Sequence, residues 1–175
     1  MSCSFVFLTL VWMVNVTMPE NNLDRMMQLV EEFFGTKDDP SQISVDEKVV
    51  RRLKKIHPAT MSEKRTRKGP VAWTLVIPTT HQLMEQFISG KINERELLFK
   101  TPLRSKYDSL YLCSAFVLPE YRGSGWATRL MSRAINTIRK DHPLENLFYW
   151  ALSSKGKKLA RSLAREFSLP LSRRV

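Results

Sequence analysis

Sulfur and imidazole are scarce in this sequence. Its 175 residues contain two cysteines, Cys3 and Cys113, and three histidines, His57, His81 and His142, each standing alone. Two cysteines cannot build the disulfide framework of a small secreted domain. With no CxxC pair and no closely spaced histidines, no metal is expected. The same scarcity points to a reducing, cytoplasmic setting. Acidic residues are also few, 17 against 28 lysines and arginines, for a net charge of +11. That balance favours an anionic partner such as nucleic acid, acidic lipid or a polyphosphate ligand, and it speaks to association rather than to fold. Long apolar runs are nearly missing. The strongest, SCSFVFLTLVWMVNV near the amino terminus, falls short of the about 20 residues that a membrane span needs. It also lacks the positive start and small-residue cleavage site of a signal peptide, so no membrane association is expected. No internal repeat is visible.

What is present is apolar material for one core, 43% of residues. Residues 1–17 read as a first strand or as an extension ahead of a start at Met18, and a single domain then covers 18–175. A helix is expected from Asn22 to Phe34, with Leu23, Met26, Met27, Val30, Phe33 and Phe34 on one face. A second is expected from Ser44 to Ile56, where Ser44 and Glu47 form a capping box. The basic stretch from His57 to Pro70 contains SEKRTRKG, a hairpin or loop. Val71 to Ile77 reads as a strand ended by Pro78, and residues 79–106 as one or two helices. Leu110 to Leu118 is apolar on both faces, so it is expected as a central strand covered on both sides. Leu110, Leu112, Phe116 and Leu118 form one face of it, and Tyr111, Cys113, Ala115 and Val117 the other. Ser124 to Lys140 is a helix, Asn146 to Leu152 a buried strand, Ser154 to Phe167 a last helix, and 169–175 an edge strand or a frayed end. The order gives a mixed α/β domain around one sheet.

The informative stretch is PEYRGSGWATRLM, residues 119–131. It closes the apolar strand with Pro119 and opens a helix directly after two glycines. The first N–H groups of a helix have no partner inside it, and the helix dipole adds positive potential there. Glycines at 123 and 125 keep side chains away, so a phosphate or pyrophosphate can approach the backbone. The pattern is neither GxxxxGK[ST] nor a GxGxxG after a first strand, which argues against a nucleoside triphosphate or a dinucleotide.

Arg122-Gly123-Ser124-Gly125-Trp126-Ala127, preceded by the strand and VLPEYRG, resembles the [QR]xxGx[GA] junction of the GNAT N-acetyltransferase superfamily. The resemblance covers residues 70–167 and reaches the amino-terminal half only through element order. It implies a single α/β domain whose central mixed sheet is flanked by helices, with splayed central strands forming an acetyl-CoA cleft. Acetyl-CoA is then the cosubstrate. Its pyrophosphate is expected on Arg122, Gly123, Ser124, Gly125, Trp126, Ala127 and Thr128, and its pantetheine arm along Phe116, Val117 and Leu118. Arg129, Arg133, Lys155, Lys157 and Lys158 are candidates for the 3′-phosphate. The reaction implied is direct transfer of acetyl to a primary amine of a small molecule or protein.

The family's customary tyrosine acid is missing. Ser162 stands near its position, Glu166 replaces a glycine, and Ser153-Ser154 follow the strand. Tyr149, Ser153, Ser162 or water are the candidate acids. Asp108, at the head of the central strand, is the best-placed base, with Glu120 and His81 behind it. Cys113 reads as packing rather than as a nucleophile. The alternative is a module that binds CoA without catalysis. The basic runs RRLKK at 51–55 and KRTRK at 64–68 raise nucleic acid binding, but no aromatic-interleaved motif accompanies them, so nucleic acid is not expected as a partner. A monomer or homodimer is expected.

Overall fold

The computed structural model describes residues 22–34, 42–43, 46–150 and 153–174. The extension or first strand expected at 1–17 lies outside them, as do Ser44, the side chains of Phe33 and Phe34, and residues 151–152. In chain order the described elements are α1 (Asn22–Phe34), α2 (Glu47–Ile56), β1 (Met61–Thr66), β2 (Gly69–Thr79), α3 (His81–Ile88), α4 (Glu94–Lys100), β3 (Ser109–Val117), α5 (Trp126–Asp141), β4 (Asn146–Tyr149), α6 (Ser154–Phe167) and β5 (Leu171–Arg173). Short 3-10 turns occupy Pro58–Thr60 and Pro119–Tyr121.

The strands form one mixed sheet of order β1-β2-β3-β4-β5. The β1/β2 hairpin and the β2/β3 pair are antiparallel, while β3/β4 and β4/β5 are parallel. Parallel neighbours need a crossover, and α5 and α6 supply the two required. The α/β class, the mixed sheet and the flanking helices expected from the sequence are all present.

Each face of the sheet carries its own core. On one side Val49 and Leu53 of α2, Met84 and Phe87 of α3, and Leu97 and Leu98 of α4 pack with Ile77, Tyr111 and Phe148. On the other, Met131, Ile135 and Ile138 of α5 and Leu163 and Phe167 of α6 cover Leu110, Leu112 and Leu147. β3 is therefore sandwiched, which explains why its sequence is apolar at consecutive positions.

Several local expectations change. α2 is capped by Asp46, whose Oδ1 accepts from the Val49 N–H at 2.7 Å; the expected box involves Ser44, outside the described residues. On α1, Met26 is fully buried, yet Leu23 and Met27 are 48% and 45% exposed, so the apolar stripe is narrower than the spacing predicts. β2 runs through Pro78 to Thr79, with Pro78 opposite Leu110. β1 pairs with β2 only as far as Leu75, so this proline sits beyond the hairpin ladder. The strict alternation expected along β3 fails at Cys113. Leu75 pairs with Ser114 and Val76 with Leu112, leaving Cys113 as an extra residue. One inserted residue exchanges the faces of the residues beyond it. Ala115 packs in the cluster of Leu110 and Leu112, whereas Phe116 joins Met26, Val71 and Leu118.

Phe87 shows how tightly the α3–α4 side is built. Its ring lies 4.9 Å from Tyr111 and 5.9 Å from Phe148, centroid to centroid. Phe87→Ala should lower the unfolding free energy by about 3–5 kcal/mol. A urea midpoint within error of the parent protein would contradict that packing. At the far end of the sheet, the His142 ring lies 4.5 Å from Tyr107, and burial, then the nearby His57 and Lys106, hold its pKa below the ordinary value. A histidine that prefers to stay neutral when folded contributes stability that is fully present above its unfolded pKa of about 6.5. The contribution is lost as pH falls from there toward the folded value. The melting temperature should drop over that interval, and less steeply in His142→Gln; superimposable pH profiles would count against the assignment.

Candidate active site

The site begins where two strands part. Among the described residues β3 and β4 pair from Ser109↔Asn146 to Leu112↔Tyr149, while β2 and β3 stay paired out to Ala72↔Val117. From Cys113 onward, one edge of β3 is held by β2 and the other has left β4. The bulge at Cys113 falls at this fork, where the added twist of a bulge helps turn the strand away. A cleft of about 860 Å³ opens there. Leu112 to Val117 make one wall, Tyr149, Trp150 and Ser153 the other, and the start of α6 joins at Lys155, Gly156 and Lys158.

The cleft is closed by the turn between β3 and α5. Gly123 and Gly125 adopt left-handed φ angles of 79° and 76°, which L side chains reach only with strain. Gly125 is the N-cap of α5, and no side chain caps that helix. Its first ladder bond runs from Arg129 N–H to the Gly125 carbonyl, 3.0 Å. The N–H groups of Trp126, Ala127 and Thr128 thus have no acceptor within the helix. The carbonyls around the turn are engaged instead. Ser124 Oγ donates to the Tyr121 carbonyl, Arg129 donates to that of Ser124, and Arg122 Nε donates to that of Val117 at 3.1 Å. A Cβ added at Gly123 would meet nothing within 4 Å, and one at Gly125 only Arg129 Cζ at 3.9 Å, so the space over the turn is open. Arg25 of α1 braces the preceding 3-10 turn through both oxygens of Glu120, at 2.7 and 3.0 Å. This pair raises the Arg25 pKa and lowers that of Glu120.

Cations surround this anion-ready turn. Arg122, Lys155 and Lys158 line the cleft. Arg129 and Arg133 line a neighbouring groove of about 640 Å³ along α5, which meets the cleft at Thr128. The Trp126 indole has Arg129 at 4.2 Å and Lys64 of β1 at 4.8 Å from its ring centroid, cation–π contacts that hold it at the cleft.

Of the residues expected from the sequence, Phe116, Val117, Arg122, Gly123, Gly125, Trp126, Ala127, Thr128, Tyr149 and Ser153 come together around the cleft, as does Ser162. Leu118, Ser124, Asp108, Glu120, His81, Arg129, Arg133 and Lys157 do not line it. Leu118 is fully buried beside Met26 and Val71, and its N–H bonds to the Val71 carbonyl at 2.9 Å. Ser124 acts as the brace just described. Asp108 lies at the opposite end of β3 from the fork. Its carbonyl accepts from Glu145 and Asn146, and its Oδ1 accepts from Ser109 Oγ at 2.9 Å, so it starts the β3/β4 pairing. Ser153 Oγ accepts from the Gly156 N–H at 3.1 Å as the N-cap of α6.

Sequence reasoning missed Trp150 and Glu94. Trp150 lines the cleft, but the sequence reads it as an interior residue of the strand Asn146 to Leu152, and only the end of β4 at Tyr149 brings it to the cleft. Glu94 gave no signal. It sits behind the fork, where its Oε1 accepts from Tyr111 Oη at 2.6 Å and from Cys113 Sγ at 3.5 Å. Burial and this carboxylate push both the Tyr111 and the Cys113 pKa well above ordinary values, which leaves Cys113 protonated and suits its reading as packing. Among the described residues no group of three or more His, Cys, Asp or Glu could hold a metal ion, and no helix is long and apolar enough to cross a membrane.

Residues 87–166 match the family model Acetyltransferase (GNAT) family. The resemblance read from the turn therefore extends from the end of α3 through most of α6. Among solved structures, the chain is similar to AtaT complexed with acetyl-methionyl-tRNAfMet, at 16% identity over 82% of this chain and 79% of that one, TM-score 0.44. It is also similar to AtaTR bound with AcCoA, at 15% identity over 67% of each chain, TM-score 0.40. No curated protein matches the sequence.

The bracing of the turn is open to measurement. Arg129→Ala removes both the bond to the Ser124 carbonyl and the stack on Trp126. Amide hydrogen exchange across residues 123–127 should quicken severalfold while β3 exchanges as before. Unchanged exchange there would show that the backbone holds the turn unaided.

Proposed function

We propose that this chain, with its GNAT segment at 87–166, is an acetyl-CoA-dependent N-acetyltransferase that passes acetyl directly to a primary amine. One juxtaposition carries the reading. The stretch of β3 beyond its pairing with β4 leads straight onto a left-handed glycine turn and an uncapped helix start, and both line one cleft. An extended amide-bearing arm fits the first and a diphosphate fits the second. The N–H groups of residues 123–128 would hold the diphosphate, Arg122, Lys155 and Lys158 lie close enough to meet further phosphate charge, and the β3 edge at Cys113–Val117 would pair with the arm. A β3 N–H directed at the thioester oxygen would stabilise the charge developing there, an effect worth about 3–4 kcal/mol of barrier for such donors.

The acceptor must shed a proton before it attacks, because an alkyl ammonium has a pKa near 10.4. The departing thiolate must regain one. Tyr149 and Ser153 line the cleft and carry protons, so they are the proposed acids. Asp108, on the far side of the β3/β4 pairing, is too remote from the fork to serve as base without a relay. A second reading, CoA binding without turnover, is favoured by Ser162, which lines the cleft near the place of the family's customary tyrosine.

Gly125→Val forces a β-branched residue into a left-handed N-cap and raises a side chain over the helix start. Calorimetry should show CoA affinity reduced at least about tenfold, or 1.4 kcal/mol, alongside a melting temperature lowered by roughly 2–4 °C per kcal/mol of left-handed strain. Undiminished binding would remove the cofactor assignment. Acetyl transfer to small amines, peptide amino termini and aminoacyl-tRNA separates the two readings: product with any of them supports the enzyme, and tight CoA binding without product across the panel supports the module.

A further inference from the structure

Cys113 lines the cleft at the fork. α5 and its turn lie on one face, and α3 and α4 cover the other. On that second face, immediately behind the unopposed Cys113, stands Glu94, the first residue of α4. Its main chain is fixed by a capping box, in which Asn93 Oδ1 accepts from Glu96 N–H at 2.8 Å and Asn93 N–H donates to Glu96 at 2.9 Å. Three donors aim its carboxylate: Tyr111 Oη at 2.6 Å, Cys113 Sγ at 3.5 Å and the Ile43 N–H at 3.1 Å. All three are neutral. The ion pairs among the described residues fall on other carboxylates. The cation in its neighbourhood, Arg174, is engaged elsewhere. It donates to the Ile92 carbonyl at 2.7 Å and stacks on Phe87 and Trp150, at 4.4 and 4.9 Å.

We propose that Glu94 receives the acceptor's ammonium group at the fork, beside the cleft-lining Cys113, and takes its proton, which makes aliphatic primary amines the substrate class. This rests on the N-acetyltransferase reading. One N–H bond of the ammonium breaks as its proton passes to a Glu94 oxygen, and the freed lone pair forms the C–N bond at the thioester carbon. The C–S bond then breaks with its electrons on sulfur. The thiolate takes up one proton, the nitrogen sheds its second, and one proton in total reaches solvent. Glu94 would touch the substrate directly. Tyr111 and Cys113 position it, and their raised pKa values keep both as donors.

The test uses full-length protein with CoA present and compares n-pentylamine with 1-pentanol, which is of similar size and uncharged, by NMR titration. The wild type should bind the amine about tenfold more tightly than the alcohol, as expected for a hydrogen bond to a charged group. Glu94→Gln should bind the two alike, whereas Tyr111→Phe should keep most of the preference. Should the Gln variant fold poorly, wild-type protein labelled with 13C at glutamate Cδ gives the answer alone: the Glu94 resonance should move with amine and not with alcohol. An amine preference that survives in Glu94→Gln, no preference in the wild type, or a Glu94 resonance blind to the amine would each overturn the assignment. A protein that binds CoA normally but fails these tests loses only this inference. One that shows the Glu94-dependent preference but binds no CoA loses only the transferase reading.

Discussion

The separation of β3 from β4 beyond Leu112↔Tyr149 is the constraint to which the rest of the structure answers. A strand that parts from one neighbour in the middle of a sheet turns backbone donors and acceptors toward the gap, and these need partners or solvent. β3 tolerates this because its other edge stays paired with β2 out to Val117, and because apolar layers press on both faces up to the fork. The bulge at Cys113 lets the strand depart without breaking the β2 ladder. The opening is thus held from the side that does not open.

The turn after β3 uses the complementary polarity. Carbonyl oxygens around residues 117–124 are occupied by Arg122, Ser124 and Arg129 side chains, whereas the N–H groups at the start of α5 are left without helical acceptors. Turning acceptors inward and donors outward gives a neutral stretch of backbone the character of an anion receptor. The arginine of the motif illustrates the economy. Its Nε ties down the end of β3, so at least part of its role is to shape the turn.

The turn, α5, α6 and the central position of β3 were legible in the sequence because each is dictated locally. Left-handed positions call for glycine, and the stripe Leu130, Met131, Ala134, Ile135, Ile138 has helical spacing and nothing else. What escaped depends on distant partners. Cys113 looks like any alternating strand residue, and only the register against Leu75 and Val76 reveals it as an insertion that exchanges the faces of Ala115 and Phe116. Pro78 reads as a stop until the limit of β1 is known. The Asp46 cap of α2 went unread because the Ser44/Glu47 spacing drew the assignment. Asp108 was placed by counting along the strand, which gives distance from the turn but not which end of the β3/β4 pairing parts. Glu94 lies far from Tyr111 and Cys113 in the chain, and nothing in its own segment separates it from an exposed helix-start acid.

The indole of Trp126, held between Lys64 and Arg129, has a further consequence. Two of the chain's four tryptophans, Trp126 and Trp150, border the cleft from different elements, while Trp73 belongs to the hairpin sheet. Cations against an indole shift its emission, and displacing them or excluding water from the ring shifts it again. The protein therefore carries its own optical gauge of occupancy, and a fluorimeter can follow filling of the cleft without label, acceptor or turnover.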